Sequence, residues 1–256
     1  MKSFHINPKV VANKLTDFIS KSVKNKGFRK VVLGLSGGLD STAVAYLSKR
    51  ALGPSNVIGI LMPYGKLSSA SVKDAKRVAM RLKIMTNNID ISDSIDAYFK
   101  KEKSADCIRR GNKMARERMS ILYDMSKKYN ALVIGTSNKT EALLGYGTIH
   151  GDCAWAMNPI GALYKTQLKD LSRHLGVPSD IINKAPSAGL WDGQTDEDEL
   201  GYRYEDIDRL LFFMVDKRLS DTALANKGFG RKFIIDIRKK ISANRFKSEA
   251  PLVAKL

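Results

Sequence analysis

Short apolar runs alternate with longer segments of helical periodicity over the first half of the chain. Four runs have the length of buried strands: KVVLGLS at 30–36, NVIGILMP at 56–63, IMTNNIDI at 84–91 and ALVIGT at 131–136. Helical patterns lie before and between them, at 8–27, 41–52, 68–82, 92–101 and 106–129. Strands separated by long helices require right-handed crossovers, which bury a parallel sheet on both faces. The alternation predicts an α/β fold with a doubly wound, mainly parallel sheet.

The last third of the chain has a different character. After about Pro178 the sequence predicts loops, and the stretch WDGQTDEDELG at 191–201 has five carboxylates and no Lys or Arg. Helical patterns return at 204–215 and 229–243. Because no repeat and no linker separates this part, we expect one domain over residues 1–256 with a helical C-terminal portion.

Composition narrows the class of protein. The net charge of +18 is spread along the chain without a basic tail or block, so it suits anionic substrates and does not favour a nucleic-acid partner. No apolar stretch is long enough for a membrane span, and the N-terminus lacks a signal-peptide core. The two cysteines, Cys107 and Cys153, do not have the spacing of metal ligands. They predict free thiols without a functional role in a reducing cytoplasm.

The turn between the first predicted strand and its helix has the composition of a phosphate-binding loop. Gly37 and Gly38 let the backbone approach an anion closely, and Ser36 and Ser41 add hydroxyl donors at the start of a helix. Asp40 would repel phosphates unless a cation lay between them, so it predicts Mg²⁺. No lysine follows the glycines as in a P-loop, and their spacing does not fit a dinucleotide-binding loop.

A second motif follows the fourth predicted strand, in LVIGTSNKTEALLGYGTIHGD at 132–152. Thr136 stands at the carboxyl end of that strand, where ligands of open α/β sheets bind. Glu141 and Asp152 are candidates for further Mg²⁺ ligation, because a cation beside phosphates needs carboxylate oxygens. Lys165, at the start of a later helix, could follow the charge that develops on a leaving pyrophosphate.

The segment SGGLDS at 36–41 resembles the SGGxDS motif of the ATP pyrophosphatases. Together with NPIGALYKTQLKDLSRHLGVP at 158–178 and KAPSAGLWDGQTDEDELGYRYEDID at 184–208, it is similar to the ammonia-dependent form of the NAD synthetase family. The resemblance implies an adenine nucleotide alpha hydrolase-like fold without a glutaminase domain, and a homodimer. The implied reaction is ATP-dependent amidation of deamido-NAD by ammonia through an acyl adenylate.

The resemblance also implies roles for individual residues. The implied ATP-binding residues are Gly34, Leu35, Ser36, Gly37, Gly38, Leu39, Asp40, Ser41, Thr136, Lys165 and Ser187. Asp40 and Lys165 take catalytic roles, and Asp40 and Glu141 bind Mg²⁺. The implied contacts to deamido-NAD are Asn112, Arg116, Asp152, Glu199 and Lys247.

Four positions depart from the pattern of many relatives at implied substrate contacts: Ile149, Ala156, Gly189 and Phe246. These differences suggest a divergent branch with the same reaction. A tRNA-modifying ATP pyrophosphatase and a nucleotide-binding regulatory module stay open as alternatives. Because an acyl adenylate hydrolyses in water, we expect the loops at 62–71 and 186–199 to order over the site when ligands bind.

Overall fold

A four-stranded parallel sheet forms the centre of the structure, which is a computed structural model that describes residues 4–65, 69–191, 193–250 and 253–254. The strands are β1 (Lys30–Gly34), β2 (Val57–Leu61), β3 (Met85–Asn88) and β4 (Ala131–Val133). They lie side by side in the order β3-β2-β1-β4, and every neighbouring pair is parallel. The predicted parallel sheet is confirmed.

Helices cover both faces of this sheet, as the alternation of elements predicts. The first five are α1 (Pro8–Asn25), α2 (Leu39–Leu52), α3 (Ser69–Leu82), α4 (Ser92–Phe99) and α5 (Cys107–Tyr129). Successive residues of β1 point to opposite faces. Val31 and Leu33 join the cluster that α1, α2 and α3 complete, whereas Val32 packs on the other face with Met125 of α5.

The sheet reverses its direction of growth between β1 and β4. From β1 the chain proceeds outward to β2 and β3, and it then returns to place β4 on the other side of β1. Such a switch point opens a crevice beyond the carboxyl ends of the two strands, where ligands of doubly wound sheets bind. β4 is shorter than its apolar run predicts, and Ile134 continues it only as a bridge to Met157.

Seven further α-helices follow β4 in the described residues, and those after Pro178 form the predicted helical C-terminal portion, which is also confirmed. The seven are α6 (Lys139–Leu144), α7 (Lys165–Leu175), α8 (Ser179–Ile182), α9 (Asp196–Leu200), α10 (Tyr204–Leu211), α11 (Asp221–Asn226) and α12 (Arg231–Asn244). The helix predicted at 204–215 is α10 followed by a π turn. α10, α11 and α12 share a second apolar core with α6, centred on Tyr204, Ile207 and Ile237. None of the helices in the described residues could cross a membrane.

Candidate active site

A cavity of about 550 Å³ opens at the switch point between β1 and β4. Its wall includes the loop after β1, the segment after β4, one side of α5, the start of α7 and residues 184–191. The cavity has the size of a small-molecule site. Most of the predicted site residues line this cavity, although they come from segments that are distant in the sequence.

The loop after β1 is held by its two serines. Ser36 and Ser41 bring their Oγ atoms to 3.0 Å, the Ser36 main-chain N–H donates to Ser41 Oγ over 3.2 Å, and Gly38 N–H donates to Ser36 Oγ. The N-terminus of α2 follows immediately, and its first residues, 39–41, line the cavity, so the positive end of the helix lies at this wall. This geometry is that of an anion site, as the sequence predicts.

Gly37 is required by the packing of this loop. Its φ of +76° lies in the left-handed region, and a Cβ there would overlap the carbonyl oxygen of Ser71 in α3. Residues 34–36 and 38–41 line the cavity, whereas Gly37 is absent from the lining that the described residues form. The glycine therefore lets the loop pack on α3 while its neighbours face the site.

Asp40 and Glu141 converge on one cation, the ammonium of Lys165. Lys165 Nζ donates to Asp40 Oδ2 over 2.6 Å and to Glu141 Oε1 over 3.1 Å. The side chain of Lys165 is only 4% exposed. The aromatic ring of Tyr204 lies 5.2 Å from the same ammonium. The lysine predicted from sequence is thus a buried member of a charged cluster and not one of the many surface lysines.

The carboxylate of Asp40 has a second fixed partner. Asn138 Nδ2 donates to Asp40 Oδ1 over 2.8 Å, and Asn138 is fully buried. The same asparagine caps α6, where its Oδ1 accepts from Glu141 N–H and its own N–H donates to Glu141 Oε2. Asn138 therefore orients both carboxylates. The spacing Asn-x-x-Glu is a capping-box signal that the sequence analysis did not use.

Burial changes the ionisation of this cluster. Burial raises the pKa of Glu141 above its usual value and the nearby Asp40 adds to the rise, whereas the ammonium of Lys165 opposes it. Burial alone would lower the pKa of Lys165, but Asp40 and Glu141 raise it overall, so the ammonium stays charged. Perturbed groups that share a cavity with an anion site are typical of functional sites.

The carboxylates also fit the implied Mg²⁺. In the described residues no group of three or more His, Cys, Asp or Glu side chains is arranged to hold a metal by itself. Asp40 and Glu141 instead come from different elements and already reach one common cation. Two carboxylates completed by substrate phosphates are an ordinary donor set for Mg²⁺, so these residues are suited to bind it together with a nucleotide.

Next to this cluster, the buried side chains of Asp208 and Thr140 and the half-buried Thr166 link the starts of α6 and α7 to α10. Asp208 Oδ1 accepts from Thr140 Oγ1 over 2.5 Å, and Asp208 Oδ2 accepts from Thr166 N–H and Oγ1, both over 2.8 Å. Thr140 Oγ1 accepts in turn from Lys165 N–H over 3.1 Å. The tie therefore fixes the residues adjacent to Glu141 and to the Lys165 side chain.

The remaining predicted ATP contacts lie on the same wall. Thr136 follows β4 and lines the cavity. Ser187 lines it from the segment before α9, where its Oγ accepts from Gly189 N–H over 3.0 Å. The structure thus brings together the predicted ATP-binding residues around one cavity, apart from Gly37, which lies against α3.

Four of the five predicted substrate contacts line the same cavity: Asn112, Asp152, Glu199 and Lys247. Asp152 Oδ1 accepts from Thr148 N–H over 2.8 Å, and the surrounding protein atoms raise its pKa although the residue borders the open cavity. Lys247 Nζ donates to the carbonyl oxygens of Gly145 and Gly147 over 2.8 and 3.2 Å.

Arg116, the fifth predicted contact, is not brought to the cavity within the described chain. It is exposed on α5, and its Nε donates to the carbonyl oxygen of Ile149 over 3.2 Å. Arg118, two residues later, lines the cavity instead. Asp196, which the sequence does not single out, is buried on the cavity wall and accepts hydrogen bonds from Tyr146 and Tyr204. Nothing in the acidic stretch distinguished it from its neighbours.

The departures from the family pattern lie mostly outside the cavity. Gly189 lines it, whereas Ile149, Ala156 and Phe246 are absent from the lining that the described residues form. Phe246 is 57% exposed, beside the cavity-facing Lys247. The loop after β1 therefore keeps the expected residues, and three of the four departures lie outside the described lining of the cavity.

Comparison with known proteins places this geometry in a family. The family model for NAD synthase matches residues 11–251. The NH(3)-dependent NAD(+) synthetase of Fusobacterium nucleatum is 49% identical over 256 residues, which are 100% of this chain and 99% of that protein.

Two solved structures show the same similarity over nearly the whole chain. The NH3-dependent NAD synthetase from Campylobacter jejuni is 37% identical with a TM-score of 0.84, and it matches 98% of this chain and 100% of its own. The NMN synthetase from Francisella tularensis is 34% identical with a TM-score of 0.85 and the same coverage. On the family match, the sequence identity and the shared fold, the chain belongs to the NAD synthase family.

Proposed function

We propose that the chain amidates deamido-NAD to NAD with ammonia, using ATP and releasing AMP and pyrophosphate. The observation that carries this proposal is the convergence of Asp40, Glu141 and Lys165 beside the serine–glycine loop at the switch point of the sheet. Membership of the NAD synthase family supports the reaction class.

The reaction needs two displacements. An oxygen of the nicotinate carboxylate attacks the α-phosphorus of ATP, the bond to the β-phosphate breaks, and pyrophosphate leaves. The nitrogen of ammonia then attacks the acyl carbon, the bond to AMP breaks, and the nitrogen loses a proton. Since oxide is a poor leaving group and AMP a good one, adenylation makes the amidation possible. The protein must hold two anionic ligands together and offset their repulsion.

The residues around the loop supply that positioning. The N–H groups at the start of α2 and the hydroxyls of Ser36 and Ser41 lie where phosphate oxygens would bind. Lys165 brings a buried positive charge to the same point. Asp40 and Glu141 would hold Mg²⁺, which neutralises charge on the phosphates when bound. Asn138 keeps both carboxylates oriented toward that position.

A homodimer and a cytoplasmic location form part of the proposal. α5 exposes Tyr123 (42%) away from the cavity lining, and a twofold partner could cover it. Arg116 is exposed on the same helix, so a dimer would let it reach a substrate bound by the partner. Sedimentation at several protein concentrations tests the dimer, and a monomer at every concentration would exclude it. The free thiols Cys107 and Cys153 suit the cytoplasm.

Exchange between pyrophosphate and ATP tests the proposed reaction. We expect labelled pyrophosphate to enter ATP only when deamido-NAD is present, because exchange requires the reversible formation of the acyl adenylate. Added ammonia should convert deamido-NAD to NAD. Exchange that requires tRNA would favour the tRNA-modifying alternative, and ATP binding without any exchange would favour a regulatory module.

Amidation of nicotinate mononucleotide is a second candidate function. The Francisella tularensis structure with which this chain shares its fold is an NMN synthetase, and the departures at Ile149, Ala156 and Phe246 lie at the periphery of the site. A mononucleotide lacks the second nucleotide and needs fewer contacts there. Comparison of kcat/KM for the two substrates decides between them. A higher value for nicotinate mononucleotide would replace deamido-NAD as the substrate.

A further inference from the structure

Arg118 lines the cavity with a guanidinium group that has little to bind within the protein. It belongs to a stripe of α5 that faces the cavity, formed by Ile108, Asn112, Ala115, Arg118, Met119 and Leu122. Its Nε donates to the carbonyl oxygen of Met62 over 3.1 Å. In the described chain its two terminal nitrogens have no hydrogen-bond partner and no ion pair. A partly buried guanidinium with two free donor groups is an anion site.

The other cations of the cavity are engaged. Lys165 pairs with Asp40 and Glu141, Lys169 pairs with Glu205 over 3.1 Å, and Lys184 pairs with Asp74 over 2.9 Å. Lys247 donates to two main-chain carbonyl oxygens. Burial lowers the pKa of Arg118, and Asp152 raises it from a distance, but arginine keeps its charge at neutral pH. Among the described cavity cations, Arg118 is therefore the one whose charge is least compensated.

The position of Arg118 lies between the two ends of the site. Leu122 lies one turn after Arg118, about 6 Å along α5, and it approaches Gly34 at the end of β1. The serine–glycine loop follows directly after Gly34. About 9 Å in the other direction, Asn112 Oδ1 accepts from Thr148 Oγ1, and Thr148 N–H donates to Asp152. Arg118 thus lies where a nucleotide on the loop would meet a substrate at the Asn112 end.

We infer that Arg118 binds a two-oxygen anionic group at the point where ATP and the acyl substrate meet. The substrate carboxylate and the α-phosphoryl group share this chemistry, because either one presents two oxygens to the fork of a guanidinium. The positive charge of Arg118 would then reduce the electrostatic repulsion between the substrate carboxylate and the α-phosphoryl group, so that the two can approach each other. The identity of these two ligands rests on the proposed function, whereas the anion site rests on the contacts of Arg118.

Binding measurements on Arg118→Gln and Arg118→Lys test the site. Arg109→Gln is the matched control, because Arg109 is exposed on the same helix and pairs with Glu102. Titration calorimetry with ATP and Mg²⁺, and separately with deamido-NAD, needs no turnover. We expect Arg118→Gln to weaken the binding of one ligand by roughly 30-fold, since hydrogen bonds to charged groups are lost. The lysine variant should recover part of the loss, because it keeps the charge without the fork.

The two titrations identify the anion. Weaker binding of deamido-NAD assigns the carboxylate, and weaker binding of ATP assigns the α-phosphoryl group. Affinities equal to those of Arg109→Gln for both ligands, in variants whose thermal unfolding matches the wild type, would overturn the inference. If Arg118→Gln fails to fold, Arg118→Lys against the wild type decides in the same way. A wild-type protein that binds ATP but shows no exchange would refute the proposed function and leave the ATP titration as the test of Arg118.

Discussion

At the scale of single residues, the ammonium of Lys165 holds together two carboxylates that would otherwise repel each other. Asp40 and Glu141 both accept from it, and its side chain is 4% exposed. Removing one charged member of such a buried group leaves the charges of the others unpaired, which lowers the free energy of unfolding by several kcal/mol. The three residues should therefore behave as a unit in mutational experiments.

Asp40→Asn removes the carboxylate that accepts a hydrogen bond from Lys165 at the start of α2. We expect kcat to fall roughly 100-fold or more, since preorganised charge at the phosphates is lost. Steady-state kinetics at several Mg²⁺ concentrations measure this. Asp170→Asn, at an exposed residue paired with Arg173 on α7, is the control and should keep wild-type rates. Near-normal Mg²⁺ dependence in Asp40→Asn would contradict the assigned role.

Cys153 provides a pH-dependent prediction. Burial raises the pKa of its thiol to about 12, and the nearby Asp152 adds to the rise. The thiolate is the reactive form, so the rate of alkylation at Cys153 should increase tenfold per pH unit up to about pH 12. Exposed Cys107 serves as the internal reference, and it should be alkylated first at pH 7.5. Peptide mapping after timed alkylation tells the two apart, and faster labelling of Cys153 would contradict the prediction.

At the scale of elements, Gly37 lets the loop after β1 pack closely against α3. Gly37→Ala must adopt an unfavourable φ and also displace Ser71. Gly176→Ala must adopt a similar φ, +78°, but no atom lies within 4 Å of the added Cβ. We expect Gly37→Ala to lower the free energy of unfolding by about 2 kcal/mol more than Gly176→Ala does. Urea unfolding of both variants measures the difference, and equal losses would show that the loop does not press on α3.

The tie from α10 to α6 and α7 gives a second prediction at this scale. Asp208→Ala leaves the hydroxyl of Thr140 and the N–H of Thr166 without their acceptor, so the free energy of unfolding should fall by about 3 kcal/mol. The control is Ser172→Ala, because the buried hydroxyl of Ser172 has no partner in the described chain. Chemical denaturation compares the two. A loss in Asp208→Ala no larger than in the control would mean that the tie stabilises nothing.

The elements also show how far the sequence predicts the structure. Apolar runs and glycines predicted the four strands and the loop after β1, because local pattern and turn chemistry determine them. They did not predict the tie through Asp208, since a buried carboxylate looks the same in sequence as a solvated one. The sequence likewise predicts a substrate contact at Arg116 and gives no sign that Arg118 lines the cavity. Only the packing of α5 decides which of two arginines faces the cavity.

At the scale of the whole molecule, the described residues of the segment 186–199 form part of the cavity wall. Its described residues line the cavity at 186–191, Gln194, Asp196 and Glu199, and they meet Tyr146 and Tyr204 through hydrogen bonds. The other predicted closing segment, 62–71, lines the cavity with Met62, Pro63 and Ser71, and its residues 66–68 lie outside the described chain. Closure over a reactive adenylate stays a prediction.

Hydrogen exchange with and without ligands tests this closure. With ATP, Mg²⁺ and deamido-NAD bound, we expect the amides of 186–199 to exchange roughly tenfold more slowly, because an ordered segment opens less often. The amides of α12 are the internal control and should keep their rates. Unchanged exchange in both closing segments would exclude closure, and equal slowing in α12 would indicate general stabilisation instead.

The site also depends on contacts between distant parts of the chain. Asp40 meets Lys165 across 125 residues of sequence and Asn138 across 98. A partly folded chain that lacks either long-range contact cannot assemble the cluster. A ligand that binds only the native state adds stability in proportion to the logarithm of its concentration. Nucleotide should therefore act as a folding ligand for this chain, and its binding during refolding would report the moment when the starts of α6 and α7 meet the loop after β1.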